Sequence, residues 1–334
     1  MKLGRRWLIA VVTLSLLSFV SIKPTHAAPF QPGQIFVAFG GNQIGVFADT
    51  VSLTGAQAMS PISIAPSSFG TGTILTGGGG VALDELGNLY VTVQNFKGQT
   101  NRRGIVKIDR NGNIVLEIDG GTTTIDFRGV AVHDGIIYVA SGSGIRRFRA
   151  DNGASISPII ASGTSFRDVA FDRQGNLYAL LSNEVRRWST DFSQYSSFSI
   201  PNEDPRAIVL DEDGNIYITF EDTKLIRKYS PNGNLIATYY AYSDLSKVGS
   251  LIGLDYDPGT QRLFASHTAT GGIGQILWID RNASSGATMN AFGPNNLSGV
   301  RWLAVYPTSE PAAAVLLLAG LGWLVRRVRR GRNA

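Results

Sequence analysis

Arginine recurs at one fixed place in this 334-residue chain. Arg128, Arg167, Arg206 and Arg301 each stand five residues before an equivalent position, occupied in turn by His133, Asp172, Asp211 and Tyr306. A guanidinium group is a rigid fork of donors that matches carboxylate, sulfate or phosphate oxygens, so four of them at one place would form an anion site. A nearby acid such as Asp126 or Asp204 would instead turn the same arginines into structural ion pairs.

Other chemistry is sparse. The chain has three histidines and no cysteine, which excludes disulfides and thiolate metal sites. His26 lies in the leader described below. His133 takes the place of a turn aspartate and is expected to cap a hairpin. His267, in the glycine-rich stretch "SHTATGGIG", reads as a solvated loop residue, of interest as a ligand contact only if that loop borders a channel. No Ser-His-Asp grouping, HExxH, phosphate loop or cysteine nucleophile is present, so no catalytic residue, metal site or cofactor is expected.

The elements that must position the arginines are repeated hairpins. "GGVALDELGNLYVTV" from Gly79, "RDVAFDRQGNLYALL" from Arg167 and "RAIVLDEDGNIYITF" from Arg206 each read as an apolar strand ending in Asp, a Gly-Asn turn supplying positive φ angles, and a second strand carrying Tyr. A second hairpin follows, as in "GIVKIDRNGNIVLEI" from Gly104. Asp84, His133, Asp172, Asp211 and Asp257 are 49, 39, 39 and 46 residues apart, the period of four-stranded propeller blades. That makes five blades. The sixth is divided: "GQIFVAFGGNQIGVFADT" from Gly33 reads as a second and third strand, and "VRWLAVYP" from Val300 as the missing first strand. An all-β, six-bladed propeller closed by a blade shared between the termini is the expected fold, because closure removes raw sheet edges. In it the first strands line the channel and the arginines stand at one mouth.

These repeats resemble the NHL family of six-bladed propellers over residues 34–306. Six-bladed lactonases of the regucalcin type hold a divalent metal in the channel through Glu, Asn and Asp. Here Asp168 and Asp255 are the only acids inside aligned first strands, which keeps a metal-dependent hydrolase as the alternative reading and a structural envelope scaffold as a further one.

The formal charge of +5 is a property of the ends. With four basic residues removed from the front, and five arginines and Glu310 from the back, residues 28–309 keep 21 basic and 24 acidic side chains, a net charge of −3. Nucleic acid is therefore not an expected partner. Residues 1–27 read as a signal peptide: Lys2, Arg5 and Arg6, an apolar run over 7–20, and small residues at Thr25 and Ala27. At the other end Ser309-Glu310-Pro311 precedes an apolar run over 312–325 and an arginine cluster, an arrangement that halts export with the arginines inside. The tail, 308–334, resembles the PEP-CTERM sorting signal of Gram-negative bacteria, with Ser309 in place of the first proline. That resemblance implies an exosortase-like processing enzyme, transient membrane attachment and an exopolysaccharide-making host.

Residues 28–307 are thus expected to form an exported, non-catalytic binding propeller delivered to the cell envelope. Its candidate contacts are Arg128, Arg167, Arg206, Arg301 and His267, and acidic exopolysaccharide or another envelope protein is the expected partner.

Overall fold

The computed structural model describes residues 29–38, 43–47, 58–63, 79–122, 125–243, 248–269, 273–298 and 300–308. Among them no helix is long and apolar enough to cross a membrane. The leader, the apolar run at 312–325 and the motif Ser309-Glu310-Pro311 lie outside the described residues.

Among the described residues twenty-four strands form six four-stranded antiparallel sheets. One sheet joins the two ends of the propeller: β1 (Ile35–Ala38), β2 (Gln43–Phe47) and β3 (Ala58–Ser63) are completed by β24 (Leu303–Val305), which pairs with β1 through Ile35–Val305, Phe36–Ala304 and Val37–Leu303. The other five run in chain order. They are β4–β7 (Val81–Leu83, Leu89–Val93, Arg102–Ile108, Ile114–Thr122) and β8–β11 (Phe127–His133, Ile136–Ser141, Gly144–Arg149, Ser155–Ile160). Next come β12–β15 (Asp168–Phe171, Leu177–Leu180, Glu184–Trp188, Tyr195–Ser199) and β16–β19 (Pro205–Leu210, Ile216–Phe220, Leu225–Tyr229, Leu235–Tyr240). The last is β20–β23 (Val248–Asp257, Arg262–Ala269, Ile273–Asp280, Asn290–Ser298). The first strands β4, β8, β12, β16, β20 and β24 adjoin in that order and close on themselves. The fold is the expected six-bladed propeller, with the expected shared blade.

Second strands are sandwiched between neighbouring blades, so every residue of β5, β13 and β17 is buried, Thr92 and Thr219 included. Fourth strands face outward, and β15, "YSSFS", is polar and largely exposed. Between blades the core is continuous; Tyr178, Leu180 and Val185 of one sheet pack with Ile208, Ile216 and Ile218 of the next.

The hairpin turns differ from the expected Gly-Asn pair of positive φ angles. Only the glycine is left-handed, at φ 78° in Gly87, 79° in Gly175 and 78° in Gly214. The backbone closes from Asp84 N–H to Asn88 O and from Gly87 N–H to Asp84 O. The aspartate fixes the rest, since Asp84 accepts the Leu86 and Asn88 N–H groups, the Asn88 side-chain amide and the Tyr90 hydroxyl. Asp211 does the same with Asp213, Asn215 and Tyr217. A third-strand base then lies over the tyrosine ring, Lys107 on Tyr90 at 5.4 Å and Lys228 on Tyr217 at 5.2 Å. The repeat's aspartate, asparagine and tyrosine thus form a turn lock.

His133 does not play that part. Its turn is the two-residue Asp134-Gly135, both with positive φ, and its ring stacks on Phe171 of the next blade at 4.5 Å.

Blades are sewn together by hydroxyls on their second strands. Thr219 Oγ1 accepts the Ala207 N–H at 3.0 Å within its own blade and donates to Ile252 O of the next at 3.0 Å. Thr92 repeats this between Gly80 N–H and Arg128 O, and Ser266 between Gly253 N–H and Arg301 O. Glycine at positions 80 and 253 permits the approach. A Cβ on Gly80 would lie 2.7 Å from Arg128 O, and one on Gly253 2.9 Å from Arg301 O.

Candidate functional site

The ring has two different mouths. At the start of the first strands stand the arginines. Arg128, Arg167 and Arg206 belong to three consecutive blades, whereas Arg301 stands on the opposite side of the ring, across from Arg167.

Within the arc the arginines are held unequally. Asp204 bridges Arg167 at 3.3 Å and Arg206 at 2.6 Å, and Glu221, just past β17, also takes Arg206. Asp126 is 2.7 Å from Arg103, a buried arginine that the repeat alignment did not single out and that also donates to Ile125 O. Arg128 has no carboxylate at ion-pair distance among the described residues; its Nη1 donates to the neutral Ser165 Oγ and Phe166 O, both at 2.9 Å. Burial, joined by the neighbouring Arg167 and Arg206 charges and opposed by Asp126, pulls Arg128 below the usual arginine range. Arg301 is half-buried, and its backbone rather than its side chain makes the seam to the next strands: its N–H donates to Ala38 O and its carbonyl accepts from Gly253.

His267 is not a loop residue. It lies in β21, 1% exposed, where its Nε2 is 3.2 Å from the Tyr242 hydroxyl, which also donates to Gln275 Oε1. Desolvation pushes its pKa down, so it is a neutral core histidine. The expected solvated position is overturned because the strand continues through residue 269, past the point where the glycine-rich run suggested a loop.

The channel forms a second candidate site. All six first strands enclose a cavity of about 560 Å³ that opens among the first-hairpin turns, at Glu85, Pro258 and Thr308. Its lining ends at a layer holding Asp168 and Trp302, where Gly80, Gly129, Ala207 and Gly253 are the equivalents in the other blades. The arginines lie outside the cavity, beyond that layer.

Two carboxyl groups stand in its walls, Asp168 buried and Asp255 half-buried. Asp168 accepts the Val169 N–H at 2.8 Å and, from the next blade, the Ile208 N–H at 2.9 Å. Asp255 accepts the Tyr256 N–H at 2.8 Å and, from the closing strand, the Val305 N–H at 2.7 Å. Burial outweighs these hydrogen bonds and pushes Asp168 up to about 8 and Asp255 up to about 7, with the Asp255 charge adding to the rise at Asp168. The sequence singled out both acids but not their work as clips between blades.

The donor set does not match a Glu, Asn and Asp metal triad. No group of three or more His, Cys, Asp or Glu among the described residues is placed to hold a metal ion, and both channel carboxyls already take two backbone N–H groups.

Comparison with known proteins adds the fold alone. No protein-family model matches the chain, and the search of curated proteins finds no match. Among solved structures, a protein of unknown function from Bacteroides caccae is similar with a TM-score of 0.57 at 14% identity, covering 82% of this chain and 98% of that one. A putative 6-phosphogluconolactonase from Bacteroides uniformis is similar at TM-score 0.50 and 14% identity, covering 78% and 82%. A chain of a mitotic checkpoint complex is similar at 0.52 and 15%, covering 90% and 93%. The varied names attached to one fold show why the site has to carry the functional argument.

Proposed function

We propose that this chain is an exported, NHL-like binding propeller that takes anionic groups on its arginine arc, acidic exopolysaccharide being the ligand class. The observation that carries the reading is Arg128, a cation beside two others whose hydrogen-bond partners among the described residues are neutral. An incoming carboxylate or sulfate would relieve the repulsion there, and Arg167 and Arg206 would extend the contact along the arc. Export and delivery to the envelope rest on the leader and on the PEP-CTERM-like tail, whose arginines would stop translocation until an exosortase-like enzyme cuts near Glu310-Pro311.

Retention on immobilised polygalacturonate tests the binding. The expected result is retention that weakens with salt and is reduced in Arg128→Gln. Equal retention of both proteins, with both folded, would sink the proposal.

A further inference from the structure

The arginine arc leaves the cavity at the other mouth without a role, and its chemistry is of the opposite sign. Among the described residues no lysine, arginine or histidine contributes to its lining, whereas four carboxylic residues do: Asp84, Glu85, Asp168 and Asp255. The walls between them are aliphatic, with aromatic rings at Phe171, Tyr256, Trp302 and Tyr306. We propose that this cavity is a binding site for a small organic cation, an ammonium group carried on an apolar body, with Asp168 and Asp255 receiving the charge.

Three features converge on that class. At about 560 Å³ the space suits a small molecule, and its apolar lining rewards burial of a hydrocarbon or aromatic body. The π faces of such rings attract cations, most strongly where water is excluded. Finally, the two wall carboxyls have no cationic partner in the cavity wall among the described residues, and the hydrogen bonds each accepts there come from backbone N–H groups. An anion entering would face four acids, and a neutral apolar molecule would leave the carboxyls with no new partner. A bare metal ion would find no cluster of three His, Cys, Asp or Glu side chains among the described residues.

Proton release on binding follows from the same environment. Asp168 and Asp255 face the cavity from β12 and β20, and Asp84 and Glu85 stand at the end of β4. From β8 and β16 only apolar side chains reach the lining; β20 adds Tyr256, whose hydroxyl donates to Glu212, and Tyr306 follows β24. Asp257 at the end of β20 adds to the rise at Asp255. At neutral pH Asp168 is mostly protonated, so an ammonium ion settling beside it would favour the ionised form and release a proton to solvent.

Titration calorimetry with benzyltrimethylammonium, benzyl alcohol and benzoate tests the site. The quaternary cation cannot itself release a proton. It is expected to bind about tenfold or more tighter than the other two, with proton release revealed by different apparent enthalpies in buffers of different ionisation enthalpy. Asp168→Asn with Asp255→Asn should lose the preference for the cation, while Arg128→Gln should keep it, which separates this site from the anion reading. Because the aspartates also clip blades together, the wild-type comparison decides the matter if that double variant fails to fold. Benzyl alcohol or benzoate binding as tightly as the cation, absence of proton release, or no binding of the three probes would each overturn the proposal.

Discussion

The Asp255 carboxylate accepts the Val305 backbone N–H at 2.7 Å, so a half-buried acid of the fifth sequential blade holds the strand that closes the ring. Its neighbour Asp257 reinforces the seam, accepting the N–H and hydroxyl of Thr308 at 2.9 and 2.8 Å. β24 is only three residues long, and these side chains supply anchorage that its short ladder with β1 lacks. Closure therefore depends on carboxylates as well as on strand pairing.

Removing the second of those anchors is expected to loosen the seam. Asp257 is fully buried and also holds its own turn through Gly259 N–H and Thr260 Oγ1, so Asp257→Ala strands several donors at once. A loss of about 3 kcal/mol is expected, on the scale of hydrogen bonds to a charged group. Urea unfolding followed by tryptophan fluorescence measures it, and an unchanged midpoint would contradict the role given to Asp257.

The channel aspartates set the direction of a pH effect. Their folded values, about 8 for Asp168 and about 7 for Asp255, lie above the ordinary aspartate value of 3.8. The native chain therefore holds protons that the unfolded chain releases, and stability is lost as pH rises. This contribution is fully present below about pH 4 and is lost as pH rises through about 7 to 8. The melting temperature should fall between pH 5 and pH 8, and Asp168→Asn should flatten that fall. A wild-type melting temperature that climbs steadily over this window would count against the assignment.

Thr219→Val tests the hydroxyl relay with little change of shape. It leaves the Ala207 N–H and the Ile252 carbonyl without their shared partner in a buried seam, at an expected cost of about 1–3 kcal/mol. Thr219→Ser should recover most of the loss, because the hydroxyl is restored. Equal destabilisation by both substitutions would assign the effect to packing.

Binding at the arginine arc should respond to salt. Screening shortens to about 8 Å at physiological ionic strength, so retention on polygalacturonate should fall steeply as salt is raised. Arg128→Gln is expected to lower retention with an unchanged melting temperature, whereas Arg206→Gln should also destabilise the fold by releasing Asp204 and Glu221. If the two variants behave alike in both measurements, Arg128 has no special place in the arc.

The proposed processing of the tail has its own readout. Intact mass of the envelope or secreted form is expected to show the chain shortened near Glu310-Pro311. Full-length chain carrying Arg332 in the membrane fraction, with no shorter species, would indicate a permanent anchor.

Repetition is what made the architecture legible. A strand, an Asp-x-x-Gly-Asn turn and a tyrosine-bearing strand recur at blade spacing, and the two incomplete ends complement each other, so the ring and its shared blade follow from local pattern and from the cost of an unpaired edge. The same alignment places arginines at one repeat position. It does not reveal which are neutralised, because Asp204 and Glu221 reach Arg206 from 2 residues before it and 15 after it, through the tertiary path of two connections. His267 departs from its expected loop for a related reason: glycine and threonine favour a loop, but pairing with β20 and β22 carries the strand through residue 269 and buries the ring against Tyr242. The acidic cavity is the least legible feature of all. Asp168 and Asp255 are not at equivalent places in their repeats, standing four and two residues before their turn aspartates, and only closure of six first strands turns both into one wall with no base among its described residues.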